Sequence, residues 1–394
     1  MKKLLGLVLS LVLMLNLFSF AAVAETISKE DIKIGFIYIG DENEGYTFAH
    51  YDAAMKMKEA LGLSDDQLIF KMNTPETEAA YDSAVDHAEQ GCNIIFANSF
   101  GFESYIVMAA SEYPEIQFCH ASGVQASASG LTNMHNYFTA IHEGRYVSGV
   151  VAGLKLNEMI DNGTITADTA KIGYVGAFPF AEVVSGYTAF FLGARSICPS
   201  VTMDVRYTNS WSDASLEKET AEALIAGGAV LIGQHSDTTG PSVACEAKNV
   251  PIVGYNISMI PTAPNYALTS AAANWAPFVT YAVESVLNGT TIETDWCQGY
   301  VEGAVGITEL NEKAVAKGTQ EKVDEVIATL VDGTFKVFDT ATFTVNGETT
   351  TSYNTVYGFE GNEMIGDGHF REAELRSAPC FELRIDGITE LTEN

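Results

Sequence analysis

Basic residues are scarce in this chain. It carries 21 Lys and Arg against 51 Asp and Glu, a net charge of −30 over 394 residues. Binding a phosphate backbone needs clustered cations, so nucleic acid is excluded as the main partner, as is electrostatic docking on anionic lipid. Long apolar runs are confined to the N-terminus, and no later segment stays apolar over the roughly 18 residues that a membrane helix needs. Cysteine is sparse: Cys92, Cys119, Cys198, Cys245, Cys297 and Cys380 form no CxxC pair and no cluster with zinc spacing. Buried, unpaired thiols are expected, since a chain this long folds without bridges.

Catalytic signatures are missing too. There is no Walker A, GxGxxG, GxSxG or HExxH string. His142-Glu143 begins a metalloprotease-like run, but Tyr146 stands where the second His belongs. His235-Ser236-Asp237 holds the three triad residue types, yet consecutive residues on one loop do not line up as nucleophile, base and orienter. These absences point away from an enzyme, a bound metal and a cofactor.

What is present starts with a leader. Lys2 and Lys3 precede an apolar stretch over 4–20, and Ala22-Val23-Ala24 places small residues before Glu25. This reads as a secretory signal peptide over 1–24, cleaved after Ala24. No Cys follows it, so a lipid-attachment site is absent. The mature chain is expected to be extracytoplasmic, periplasmic or secreted, and not membrane-spanning. With 47% apolar residues it can fill a sizeable core.

Strand and helix patterns then alternate. Strands are expected at 32–39, 67–72, 93–97 and 116–120, and helices at 48–61, 76–90 and 102–112. Such alternation implies parallel strands with helical crossovers, an α/β fold. The events then recur. Lys33-Ile34-Gly35-Phe36-Ile37 matches Lys171-Ile172-Gly173-Tyr174-Val175, Ile95 to Ser99 matches Leu231 to His235, and Phe118 to Ser122 matches Ile252 to Asn256. The offsets are 138, 136 and 134 residues, which predicts two similar doubly wound lobes. A long helix is expected at 138–159, another at 275–287 and a last one at 321–330. The expected division is 25–140 for the first lobe, completed by about 276–305, and 141–275 for the second, completed by about 306–340. A β-rich tail of hairpins follows over 341–394, with a turn signal at Asn346-Gly347.

In open α/β sheets, ligands bind beyond the carboxyl ends of the strands. Those positions hold Tyr46, Ser99, Phe100, Phe102, Phe178, Trp211, His235, Asp237 and Asn256, with Asn274 and Trp275 farther on. Aromatic faces with a few acceptors suit a flat heterocycle bearing ring N–H groups, and also a sugar. Competing structural roles stay open: Phe100 or Phe102 as core, Asp237 as a helix cap, His235 as a buried structural histidine, Asn274 and Trp275 as helix cap and anchor.

At these residues the chain resembles the basic membrane protein family of ABC-transporter substrate-binding proteins, which includes purine nucleoside and nucleobase receptors. The resemblance rests on Gly45-Tyr46-Thr47-Phe48-Ala49-His50, Ser99-Phe100-Gly101-Phe102, His120-Ala121-Ser122-Gly123 and Glu143-Gly144-Arg145-Tyr146. It continues with Ile172 to Pro179 and Glu182, Asn209-Ser210-Trp211, Gln234-His235-Ser236-Asp237 and Asn274-Trp275, and runs from about 32 to 335. It implies a type I periplasmic-binding-protein fold with a hinge, closing on a purine. Tyr46 and Phe100 or Phe102 would stack on the base from one lobe, Phe178 and Trp211 from the other. Asp237 and Ser99 would bond its edge. Asn256 stands where nucleoside receptors of the family carry an Asp that grips ribose, which favours a bare base over a nucleoside. The implied function is capture of a purine base or nucleoside and delivery to an ABC permease. The rivals are a receptor for a simple sugar or another heterocycle such as a flavin, a sensor domain, and a secreted nucleoside-processing enzyme.

Overall fold

A computed structural model describes residues 27–391, so the expected leader lies outside the described residues. Two sheets are laid down in one order. The first uses β1 (Ile34–Ile37), β2 (Leu68–Lys71), β3 (Ile94–Ala97), β4 (Gln117–Ala121) and β5 (Met134–Thr139), arranged β2-β1-β3-β4-β5. The second uses β6 (Lys171–Gly176), β7 (Thr202–Tyr207), β8 (Leu231–His235), β9 (Ile252–Tyr255) and β10 (Ala267–Ala273), arranged β7-β6-β8-β9-β10. Pairing within each set is parallel. Every residue of β1 and β3 is buried, as expected for strands covered on both faces by helices.

The sequence repeat therefore marks two equivalent doubly wound lobes. Backbone detail repeats as well: Ser122 and Asn256, just past β4 and β9, both take φ near +60° (63° and 59°), and Asn73 and Asn209, past β2 and β7, take 54° and 53°. These are left-handed positions that Asn tolerates better than most residues.

One expected boundary was wrong. The pattern at 138–159 reads as a single helix, but Met134–Thr139 is a strand and the helix is Ile141–Asp161. His135 and Asn136 hid the strand. Both are buried with partners: His135 contacts the Glu293 carbonyl and Gln117, and Asn136 accepts from the Ala126 N–H.

The chain crosses between lobes three times. It leaves β5 through Ala140, returns after β10 at Asn274, adds β11 (Asp295–Gln298) beside β5, and crosses again to β12 (Val305–Ile307), antiparallel to β10. The crossing segments lie side by side. Ala140 N–H donates to the Gln298 carbonyl at 2.8 Å, Asn274 N–H to the Ala304 carbonyl at 2.8 Å, and Tyr300 N–H to Glu143 Oε2 at 2.8 Å. Few segments cross, so hinge motion is the natural mode of this architecture.

The second-lobe core is seamed by two helices in backbone contact, Ile141–Asp161 and Ala181–Ile197. A Cβ on Gly149 would lie 2.0 Å from the Phe190 carbonyl oxygen, and one on Gly193 would lie 2.1 Å from that of Tyr146. Backbone cannot yield as a flexible side chain does. Gly149→Ala is expected to lower unfolding free energy by about 2 kcal/mol, read by denaturant titration.

Residues beyond 334 differ from the expected run of hairpins. The Asn346-Gly347 turn forms, with Val345 and Glu348 exchanging both backbone bonds. Otherwise, among the described residues, the tail pairs within itself only at the two-residue strands β13 (Ile365–Gly366) and β14 (His369–Phe370) and at an Asp339–His369 bridge, and β15 (Ile388–Glu390) joins the second sheet beside β7. The segment is held by buried side chains instead. Phe338, Phe343, Phe370 and Phe381 pack together and onto the second lobe. All six cysteines are unpaired, five of them buried. No helix among the described residues is long and apolar enough to cross a membrane.

Candidate functional site

A cavity of about 450 Å³ opens between the lobes, at the carboxyl ends of both sheets. Its first-lobe wall begins with the Gly45–Leu61 helix. The sequence pattern starts this helix at Phe48, but Glu44 starts it earlier: its carboxylate accepts from Tyr46 N–H at 2.6 Å and Thr47 N–H at 2.8 Å. That cap turns Tyr46 into the cleft, where its hydroxyl donates to the Asn98 carbonyl at 2.5 Å. Beside it, Ser99 Oγ donates to Glu76 Oε1 at 2.6 Å, and Gly101 N–H to the same oxygen at 2.8 Å. Glu76 thus fixes the short turn that carries Phe100.

The second-lobe wall is built from loops after β6, β7 and β8. Phe178 and Phe180 stack at 5.0 Å with 7° between planes, and Phe178 lies 5.4 Å from Trp211. Trp211 is tied to the next loop, its carbonyl accepting from Asp237 N–H at 2.9 Å. Glu217, fully buried, accepts from Ser236 Oγ at 2.8 Å and Thr238 Oγ1 at 2.7 Å, and so shapes the loop on either side of Asp237. The lobes meet here. Gly45 N–H reaches the Asp237 carbonyl at 3.4 Å, and the rings of Phe100 and Phe180 face each other at 6.3 Å. The arrangement is closed.

Closure crowds carboxyls. Burial pushes the Asp237 pKa well above the usual carboxylate range, and Glu44, Glu217 and Glu182 push it further, against the pull of Arg145. Burial also raises Glu182, to about 7, although Arg145 draws it down. Arg145 lies beneath the cleft floor, where Nη1 donates to the Gln234 carbonyl at 2.7 Å and the Tyr174 hydroxyl at 3.1 Å. Its guanidinium sits 3.7 Å over the Tyr255 ring. The cleft therefore offers aromatic faces from both lobes and two carboxyl groups, Asp237 and Glu182, short of hydrogen-bond donors.

Of the residues singled out from sequence, Tyr46, Ser99, Phe100, Trp211 and Asp237 come together on the cleft wall. Others stand behind it. Phe178 backs Phe180 and Trp211, and Asn256 Nδ2 donates to Asp237 Oδ1 at 3.3 Å. His235 is fully buried, 4.8 Å from the Tyr255 ring, with Nε2 3.5 Å from Glu182 Oε1; burial and Arg145 hold it neutral. Three lie away from the cleft. Phe102 is in the first-lobe core, because the single 3-10 turn Phe100–Phe102 points one ring out and the other in. Asn274 joins two crossing segments, donating to the Gly303 carbonyl at 2.8 Å and accepting from Ala276 N–H. Trp275 is fully buried and stacks on His50 at 4.3 Å.

Sequence reasoning missed Glu44, Glu217 and Tyr255, and met Glu182 only within the family resemblance. Glu44 had a signal, a carboxylate directly before the Gly-Tyr-Thr that opens an amphipathic run. In so acidic a chain the others had none.

Comparison with known proteins follows the same outline. The profile of the Bmp family, described as ABC transporter substrate-binding protein PnrA-like, matches residues 31–334. A purine-binding protein of Brucella abortus is 32% identical over 302 residues, covering 75% of this chain and 82% of that protein. A putative ABC transporter glucose-binding protein of Haloferax volcanii is 30% identical over 301 residues, covering 76% and 71%. A solved ABC transporter solute-binding protein from Conexibacter woesei superposes with a TM-score of 0.64 at 19% identity, over 77% of this chain and 98% of that one. The fold is that of type I periplasmic binding proteins.

Proposed function

The chain belongs to the PnrA-like family of ABC-transporter substrate-binding proteins, and from that premise we propose that it is an extracytoplasmic receptor that captures a purine base and delivers it to a membrane permease. The observation that carries this reading is the meeting, in one cleft, of aromatic side chains from both lobes, Tyr46 and Phe100 from the first and Trp211 from the second, with Asp237 on the same wall. A purine presents two flat faces and an edge of ring and exocyclic N–H groups. The faces take the aromatics, and the edge gives Asp237 the donors that the closed cleft lacks.

Binding then works as a population shift. Closing an empty cleft leaves the Asp237 carboxyl with one long hydrogen bond, from Asn256 Nδ2 at 3.3 Å, beside other carboxyls, which disfavours the closed form. A bound purine supplies the partners and favours it. A bare base fits better than a nucleoside, since Asn256 is engaged with Asp237. The purine-binding relative supports the ligand class. The second reading, a sugar, is favoured by the glucose-binding relative and by Asp41, Asn43, Glu44 and Glu76 on the cleft wall.

The test is thermal unfolding of chain 25–394, unfolded and refolded to strip carried-over ligand, against purines, nucleosides, pyrimidines, riboflavin and sugars. A ligand at about a hundred times its Kd adds roughly 2.7 kcal/mol of stability. Free purines are expected to shift the midpoint more than their nucleosides. A shift with sugars alone would replace the purine reading.

A further inference from the structure

A second cavity, of about 470 Å³, opens beside the cleft and shares Phe100, Ser122, Glu182 and Trp211 with it. Its far wall comes from the C-terminal segment, through Tyr357, Ala378, Pro379 and Arg384. These residues lie beyond 334, where the family match ends. We propose that this annex is a subsite for a neutral, apolar or planar group carried on the base, so that the receptor accepts substituted purines. The proposal rests on the purine reading of the neighbouring cleft.

The two spaces adjoin along Phe100, Ser122, Glu182 and Trp211, which face both of them. Phe100 and Phe180 flank the junction, one from each lobe, and are 45% and 46% exposed. Apolar rings left this open are available to a ligand. Tyr357 adds a third ring, 67% exposed, although its backbone is fixed by the Arg376 guanidinium, which donates to its carbonyl.

Charge selects the substituent. The annex has two cations, and both are engaged. Arg376 donates to the carbonyls of Tyr357, Ala378 and Pro379. Arg384 pairs with Glu390 at 2.9 Å and donates to the Glu382 carbonyl at 2.6 Å. Glu182 and Glu382 line the same space. A phosphate would meet these carboxylates and compete with formed bonds for each guanidinium. A neutral ring or alkyl group meets aromatic and proline surface.

The wall is also fixed in place. The tail is bonded to both lobes: Ser377 N–H donates to Asp295 Oδ1 at 2.8 Å on the first, and Ser185 Oγ of the second donates to Glu372 Oε1 at 2.6 Å. A preorganised wall binds without the cost of ordering a loose segment.

Calorimetric titration of the ligand-stripped chain with adenine, N6-benzyladenine and adenosine 5′-monophosphate tests this. N6-benzyladenine is expected to bind at least as tightly as adenine, and the monophosphate at least tenfold more weakly. Ala181→Phe puts a ring into the annex and should weaken N6-benzyladenine at least tenfold while changing adenine less than twofold. Tyr357→Ala, at an exposed side chain that leaves folding intact, should weaken N6-benzyladenine at least threefold with adenine unchanged. The subsite is overturned if adenine binds and N6-benzyladenine does not, if the monophosphate binds best, or if Tyr357→Ala leaves both bases alike. Failure of every purine, adenine included, would instead sink the purine reading and the annex with it.

Discussion

On the proposed purine reading, Asp237→Ala is expected to weaken purine binding by about 30- to 100-fold and, at the same time, to raise the melting temperature of the empty protein. The affinity loss follows from removing a carboxyl that takes hydrogen bonds from the base edge. Bonds of that charged kind contribute about 2–3 kcal/mol, and each 1.4 kcal/mol is tenfold in affinity. The gain in stability has the opposite origin. Without ligand, Asp237 is a half-buried carboxyl whose ionised form is disfavoured by burial and by Glu44, Glu217 and Glu182. Removing it relieves the cost of holding a carboxyl group in that desolvated, acidic setting. The loop keeps its place, because Asp237 meets Trp211 through backbone and the neighbouring hydroxyls are held by Glu217. Calorimetry and a melting curve on the same variant read both effects. A variant that lost affinity and stability together would mean that Asp237 acts as scaffold rather than ligand contact.

Glu182 gives the second large effect, in the pH dependence of the ligand-free protein. Its pKa is raised from 4.5 to about 7 by burial. The folded state therefore holds a proton that the unfolded chain releases between these values. Stability from this group is fully present below about pH 4.5 and is lost as pH rises through 7. The whole change is roughly 3 kcal/mol. Buried histidines run the other way. His50 is lowered to about 3, and His87 and His135 to about 4, so they cost stability as pH falls below their ordinary range. Comparing the wild type with Glu182→Gln removes them, since both proteins carry the same histidines. Urea titrations at pH 5 and pH 8 should show Glu182→Gln gaining on the wild type by roughly 2.5 kcal/mol at the higher pH. Equal differences at both values would mean that Glu182 is ionised throughout.

The fold was legible where apolar strands repeat. Lys33 to Ile37 and Lys171 to Val175 occupy matching central strands because a buried parallel strand accepts little besides Ile, Val, Phe and Gly. Met134–Thr139 was not legible, because its buried polar residues find partners only in the folded protein. The cleft followed the same division. Aromatics just after strands could be read from sequence, since topology alone puts those positions at the strand ends. Which ring of Phe100 and Phe102 faces out is decided by one short helical turn. The roles of Glu44 as a cap and Glu217 as a loop former appear only when distant N–H and hydroxyl groups converge on them. The turn signal at Asn346-Gly347 points to hairpins in the tail, but its phenylalanines pack onto the second lobe and decide its shape.

The central claim is that the cleft between Tyr46, Phe100 and Trp211 takes a flat purine edge-on to Asp237. Its most direct test is a calorimetric titration of the refolded, ligand-stripped chain with adenine and hypoxanthine, and separately with glucose. Saturable binding of one purine per chain and no heat from glucose are expected. Saturable binding of glucose, with none of either purine, would contradict it.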